Sequence, residues 1–390
     1  MQKSKLLTAQ DVLVPVTFAR MLLGMAPYRI QNGRLVWHKM GFLTTVLVLI
    51  AITTMTVYFL SNVEEFLDMK APIVGTIKAL IIIRRIGGVV VLLLTICPSH
   101  SNFTKFLKIR HDLHQIDEQL SKFRCKEEIC ESNYKHRNKV TVLLLLNGIF
   151  LVVGEVVIMK ILISSFEMIQ AVIFAYPQLV MRIINIIFYG CTLILQSRFK
   201  CVNKLVAKTT PLDTNFCKNV KRLTLLHKDL VETSRNLNRV FNFQLLLWIS
   251  LNSVLLIGDL HAGTYVIVFR LSGKMYKVII ISMKYCLIYI SDFYYLCKRC
   301  TELCREANRT RILLLGVHLP VDKEDERDTV ITSALNLLNN KLEITACKLF
   351  RVDNTLLFSI CGIAFSYLFI VLQLEVGNIK NSGFSNTTIY

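Results

Sequence analysis

Seven long apolar blocks, separated by polar and basic stretches, set the layout of this 390-residue chain. They run Met40–Leu60, Pro72–Ile96, Val140–Ile163, Ala171–Gln196, Phe241–Phe269, Tyr276–Cys297 and Thr355–Val376. A helix rises 1.5 Å per residue, so about 20 residues cross the roughly 30 Å hydrocarbon core of a bilayer. Each block is read as a membrane-spanning helix, and the fifth is long enough to extend beyond the bilayer. Residues 1–39 are basic and amphipathic, and Pro15, Pro27 and Gly33 break them into short interfacial helices.

The polar stretches between spans keep a helical period of their own. In residues 98–139 it runs through Leu107, Ile109, Leu113, Ile116 and Leu120. In residues 197–240 it runs through Val220, Leu223, Leu226, Leu230, Val231 and Leu237. These predict extensions of spans two to five that pack on one another. Residues 329–350 repeat the pattern with Ile331, Leu335, Leu338, Leu342, Ile344 and Leu349. Segment 298–354 thus forms a loop and helix leading into the last span, and 377–390 is a tail. The expected fold class is all-α: a seven-transmembrane helical protein with an intracellular N-terminus and a cytosolic helical base.

Charge fixes the orientation. The chain is 53% hydrophobic with a formal net charge of +19. A basic balance fits nucleic acid or a membrane, but here the charges avoid the apolar blocks, which favours the membrane and no nucleic acid. Lys plus Arg number six in residues 1–39, nine in 97–139, ten in 197–240 and ten in 298–354. The alternate segments hold one in 61–71, none in 164–170, two in 270–275 and one in 377–390. The positive-inside rule then places the N-terminus in the cytosol and the C-terminus outside. That is the reverse of a receptor signalling through G proteins. A transporter is the other alternative, but no inverted repeat or Gly/Pro-broken pair of spans is present. Met1–Val14 lacks a signal-peptide core.

The last span carries a pattern that a plain anchor does not need. Ser359, Gly362, Ser366, Ile370 and Gln373 recur at helical spacing and share one face. Small and polar stripes serve helices that pack against others or border water. Ser366-Tyr367, five residues and then Gln373-Leu374 resemble the TYxxxxxQF signature of insect gustatory receptors. The run Leu342-Glu343, Ala346-Cys347, Leu349-Phe350, Asp353 and Leu356–Ser359 is similar to that family's approach to its last helix. The resemblance implies a ligand-gated, non-selective cation channel that detects a small-molecule tastant, with bitter compounds the commonest class. It implies a homo- or heterotetramer with other gustatory receptor subunits in the plasma membrane of sensory neurons, on dendrite, axon and cell body. By the same resemblance Gln373, Leu374, Ile370 and Ser366 line and gate a shared pore. An amide facing water and an apolar ring that dewets agree with that role. An interhelical hydrogen bond from Gln373 is the other reading. Tyr367 lies off the stripe and is expected to be a packing residue that couples this helix to the pocket helices.

Ionisable residues inside spans are costly and mark function by default. Lys78, Arg84, Arg85, Glu155, Lys160, Arg182, Asp259 and Lys284 qualify. For Arg84 and Arg85 an ion pair with Glu155 or Asp259 competes with a role in a pocket. In the predicted topology the outer halves of spans two to six hold Glu155, Tyr176, Arg182, Asp259, His261, Tyr265 and Tyr285. That set suits a ligand of modest size, and the resemblance places the ligand site there. An interfacial girdle is the alternative for each tyrosine.

Other motifs add little. No P-loop, dinucleotide fingerprint, zinc-protease helix or nucleophile elbow is present, so no enzyme and no cofactor is expected. Cys297, Cys300 and Cys304 have no histidine nearby to complete a zinc site, so no metal is expected, and they read as reduced or palmitoylated thiols. Of three N-x-S/T sequons, at Asn102, Asn308 and Asn386, only Asn386 falls outside the cell as a glycosylation candidate.

Overall fold

The computed structural model describes residues 8–22, 28–31, 34–37, 39–61, 74–101, 103–123, 125–162, 168–209, 215–268, 276–317 and 324–385. Asn386 lies outside them. Ten helices are described: α1 (Ala9–Leu22), α2 (Lys39–Ser61), α3 (Val74–Ser101), α4 (Phe103–Ser121), α5 (Lys126–Leu162), α6 (Met168–Lys208), α7 (Phe216–Val268), α8 (Tyr276–Leu315), α9 (Glu324–Asn339) and α10 (Asn354–Ser385). Two short antiparallel hairpins accompany them, β1 (Tyr28–Gln31) with β2 (Arg34–Trp37), and β3 (Thr345–Ala346) with β4 (Phe350–Arg351).

All seven predicted spans are helical, in α2, α3, α5, α6, α7, α8 and α10. Helices α5 to α8 and α10 are long and apolar enough to cross a bilayer. In α2 the described apolar stretch, Leu43–Tyr58, is shorter. α3 carries Arg84 and Arg85 in mid-helix.

Helices α5 to α8 run on unbroken past their apolar segments, and these extensions build the base. α4 and α7 meet there through the faces read from the sequence. Ile109, Leu113, Ile116 and Leu120 are buried on one, and Val220, Leu223, Leu226, Leu230, Val231 and Leu237 on the other. Polar anchors pin the layers. Arg198 of α6 is fully buried and donates from Nε and Nη2 to the two carboxylate oxygens of Asp117 on α4, at 2.8 and 2.9 Å. Asn203 of α6 donates to the backbone oxygen of Glu306 on α8 and accepts from Thr310 at 2.6 Å. The Asn308 amide is clamped to Leu342, donating to its carbonyl and accepting from its N–H, each at 3.1 Å.

Three local readings are corrected. The segment from Tyr28 to Trp37 forms a hairpin, not an interfacial helix. The first arm alternates aromatic or apolar with polar residues, the second carries the β-favouring run Leu35-Val36-Trp37, and the dipeptide Asn32-Gly33 between them in sequence is a strong hairpin signal. α9 buries Val330, Ser333, Ala334 and Leu337, whereas Ile331, Leu335 and Leu338 are exposed, so the inward face is shifted by one residue. Two stripes with the same spacing compete on this helix, and the one with Ser333 and Ala334 is the one packed against α7 and α8. Leu349 is likewise exposed, at the hairpin between α9 and α10. There Cys347 and Lys348 take positive φ values of 50° and 60°, which turns the chain tightly enough for the Val352 N–H to reach the Ile344 carbonyl at 2.9 Å.

The base contains a titratable weak point. Burial, reinforced by Arg198, Lys139, Arg299 and Lys200, pushes His136 down to about 4. Burial also lowers His227, which bonds the Ala307 carbonyl. A histidine kept neutral in the fold binds a proton more readily once unfolded. The unfolded state therefore gains protons first, and stability falls as pH drops from about 6.5 toward 4. The melting temperature of detergent-purified protein should fall across that window. His136→Gln should flatten part of the fall and leave the remainder to His227. An unchanged pH dependence in that variant would remove His136 from the account.

Candidate functional site

Ion pairs knit the apolar helices together in two layers. The first lies near the end of the bundle where α5 and α7 finish and α6 and α8 begin. Glu155, Asp259 and Tyr285 sit roughly 10–13 Å along their helices from that end. Arg84 of α3 donates from Nη2 to both carboxylate oxygens of Asp259 on α7, at 2.9 and 2.6 Å. Its Nε donates to the Tyr289 hydroxyl at 3.3 Å. Tyr285 of α8 is the hub. Its hydroxyl donates to Glu155 of α5 at 2.8 Å. Its ring lies 3.7 Å from the Arg84 guanidinium and 4.8 Å from the Lys284 ammonium, and it stacks on Tyr289. Lys284 completes the layer with a 3.4 Å contact to Glu155, whose other oxygen is buried with no hydrogen bond among the described residues. Cations over tyrosine faces gain most where water is excluded.

The second layer is deeper, roughly 21–24 Å along α5, α6 and α8 from the same end. Arg182 of α6 donates to Asn147 of α5 and, at 2.9 Å, to Asp292 of α8. Around this lock opens a cavity of about 320 Å³ between α5, α6, α7 and α8. Its wall is mostly apolar, with Leu143, Phe150, Ile186, Phe188, Trp248 and Leu296 among the lining residues. A smaller cleft of about 60 Å³ shares Arg182, Trp248, Ile288 and Asp292 with it and reaches Arg84 and Tyr289 in the first layer. Apolar walls with a few fixed polar groups are the usual make-up of a small-molecule site.

Of the pocket residues expected from the sequence, Arg182 lines the cavity. Glu155, Asp259 and Tyr285 are gathered in the first layer instead. His261 and Tyr265 meet edge to face at 6.1 Å on α7, closer still to the end of the bundle, and Tyr176 packs half-buried on the main core. The sequence reading missed Asn147, Trp248, Asp292 and Arg299. Asp292 was findable as an ionisable residue inside the sixth span. Tyr285, Asp292 and Arg299 recur every seven residues, which aligns them on one face of α8.

α7 and α8, two walls of the cavity, are also the helices that hold α10. The Asn354 N–H at the start of α10 donates to Thr301 Oγ1 of α8 at 3.1 Å, two residues beyond the cavity-lining Arg299. α10 itself is barely covered. Only 11% of its apolar window is buried, against 72% for α6. Among its described side chains, Ile360 and Ala364 are the buried ones. Nine residues separate Ala364 from Gln373, about 180° around a helix, so Gln373 lies on the face turned away from its own bundle. Ser359, Gly362, Ser366, Ile370, Gln373 and Leu374 are all exposed, nothing approaches a Cβ built at Gly362, and Tyr367 is 50% exposed.

Comparison with known proteins places this architecture. The profile of the family described as 7tm Chemosensory receptor matches residues 16–377. The Drosophila melanogaster protein designated gustatory receptor 28b is 23% identical over 169 residues, which is 41% of this chain and 35% of that protein. Gustatory receptor 28a of the same species is 37% identical over 67 residues, 17% of this chain and 15% of that protein. The match therefore spans about a third or less of these relatives' own length. The solved structure of the insect olfactory receptor OR5 from Machilis hrabei superposes with a TM-score of 0.63 at 14% identity, covering 93% of this chain and 97% of that one. The same receptor in complex with eugenol gives 0.60 at 15% identity, covering 94% and 97%. At these identities the likeness is one of fold.

Proposed function

Because this chain belongs to the 7tm chemosensory receptor family, we propose that it is a gustatory receptor working as a ligand-gated, non-selective cation channel. A small-molecule tastant, of which a bitter compound is the leading class, occupies the α5–α8 cavity. The protein acts in the plasma membrane of sensory neurons, with its N-terminus in the cytosol and in a tetramer with copies of itself or related subunits. The observation that carries this reading is the shared structural role of α7 and α8, which wall the cavity and hold α10.

The mechanism follows from differential affinity. A ligand shifts an equilibrium only as far as it binds one arrangement better than the other. In this cavity it contacts the Arg182–Asp292 lock and Trp248, so its fit depends on how α6, α7 and α8 sit together. Any change in α8 near Arg299 reaches α10 through Thr301 and Asn354. The α10 stripe of Ser359, Gly362, Ser366, Ile370 and Gln373 faces away from its own bundle, as a helix shared with other subunits around a pore requires. The apolar side chains of Ile370 and Leu374 supply a closure by dewetting. Tyr367 serves as the coupling residue between subunits or helices. The eugenol complex of the olfactory receptor with this fold supports a small organic ligand here.

The test is to fill the cavity. Leu146 lines it and is 61% exposed at its mouth, so a larger side chain is accommodated without disturbing the core. In cells that express the chain and respond to a tastant, Leu146→Trp should raise the half-maximal concentration by about tenfold or more, a cost of roughly 1.4 kcal/mol in binding, with surface protein unchanged. An unaltered concentration response would move the ligand elsewhere.

A further inference from the structure

The polar inventory of the cavity goes one step further and, resting on the ligand-site reading above, names the chemistry of the ligand. Four of its polar groups are already spent on one another or on the backbone. Asn147 donates from Nδ2 to the Leu143 carbonyl at 2.8 Å and gives its oxygen to Arg182. Ser291 donates back to the Ile288 carbonyl of its own helix. Arg182 and Asp292 neutralise each other at 2.9 Å.

Arg299 is different. Its Nη1 donates to Glu302 at 2.9 Å, and Glu302 also accepts from Gln196 at 3.4 Å. Glu302 is not part of the cavity wall, whereas Arg299 is. The Arg299 Nε is buried with no acceptor among the described residues. The guanidinium lies 5.2 Å from the Tyr189 ring, which holds it beside the cavity. The wall therefore carries two guanidinium groups and one carboxylate; Asp292 is paired with Arg182, and Arg299 is paired with Glu302 from outside the wall. A guanidinium carries five N–H donors, more than the Nη1 contact to Glu302 uses, and a charged acceptor in the cavity meets such a donor with a hydrogen bond about twice as strong as a neutral one. Glu302 stands behind Arg299, so a cation entering this space meets the two guanidinium groups first and must compete with Arg182 for Asp292. Tyr189, Tyr295, Phe150, Phe188 and Trp248 offer ring faces and edges to an aromatic body.

We propose that the cavity is selective for a compact aromatic carboxylate, seated among these rings with its carboxylate against Arg299, and that it discriminates against aromatic amines.

The chain has two tryptophans, so in a Trp37→Phe background Trp248 reports from the cavity wall alone. The full-length protein in detergent is titrated with 3-phenylpropanoate, 3-phenylpropanol and 3-phenylpropylamine, which share one skeleton, and the Trp248 fluorescence is followed. The carboxylate should saturate at a concentration about tenfold or more below the amine, with the alcohol between them. Arg299→Gln should bring the three within about twofold while leaving the alcohol's affinity unchanged. If Arg299→Gln fails to fold, Arg299→Lys decides, keeping the preference for the carboxylate over the amine at reduced strength. An amine that binds as tightly as the carboxylate, or a preference that survives Arg299→Gln or vanishes in Arg299→Lys, overturns the selectivity. If the alcohol still saturates in those cases, the ligand-site reading stands. If none of the three probes saturates, both fall.

Discussion

Asp259→Ala should destabilise the folded bundle by about 3–5 kcal/mol, the penalty for breaking a buried pair and leaving one charge uncompensated. Arg84 is 11% exposed and Asp259 4%, and both carboxylate oxygens are engaged by the same guanidinium nitrogen. The Tyr289 hydroxyl and the Tyr285 ring remain as neighbours of Arg84, but neither supplies a countercharge. In a span the deficit is harder to repair than at a surface, because the orphan has only a narrow cleft beside it in place of bulk water. The test includes its own control. Replacing both partners by apolar residues, Arg84→Met with Asp259→Leu, removes both charges together and should recover most of the stability. Melting curves of the three proteins in the same detergent read the result. An Asp259→Ala protein that melts with the wild type would show the pair to be dispensable. A double variant worse than the single one would show that the layer depends on its polarity.

This outcome bears on how the site is read. Asp259, Glu155 and Tyr285 were legible in the sequence because charge and tyrosine hydroxyls stand out inside apolar blocks. What the sequence does not encode directly is whether such residues meet each other or a cavity. That depends on the rotation of each helix, and four long helices have to be set before Tyr285 falls between Arg84 and Lys284. The helices of the spans were readable because a bilayer demands length and apolarity from a crossing helix, and five of the seven are long and apolar enough by that measure. The faces of α4 and α7 were readable because each has one strong apolar stripe. α9 was misread because Ile331, Leu335 and Leu338 form a stripe as regular as Val330, Ala334 and Leu337, and the smaller side chains went inward. The cavity lies one layer deeper than expected, where Trp248 and Asp292 point together from α7 and α8. Arg299 escaped because it stands two residues beyond the predicted end of the sixth span, at Cys297. The helix continues to Leu315 without a break, so membrane depth and helix end do not coincide.

The second large effect is expected at Gln373. It is exposed on α10, about 180° around the helix from Ala364, which packs on the same subunit. If four copies of α10 enclose the pore, four amides line it at one level, and each coordinates or hydrates passing cations. Gln373→Ala removes all four at once while leaving the subunit's own packing intact, because the residue has no buried contact to lose. Stability and surface expression should stay near wild type, and the pore alone should change. A residue that serves only an interhelical bond would affect assembly and leave permeation alone. The most direct measurement is the unitary current of the wild-type and Gln373→Ala proteins in excised patches under the same ligand. The account predicts ligand-evoked cation currents whose unitary conductance shifts measurably in the variant; ligand-evoked openings of identical conductance in both proteins would contradict it.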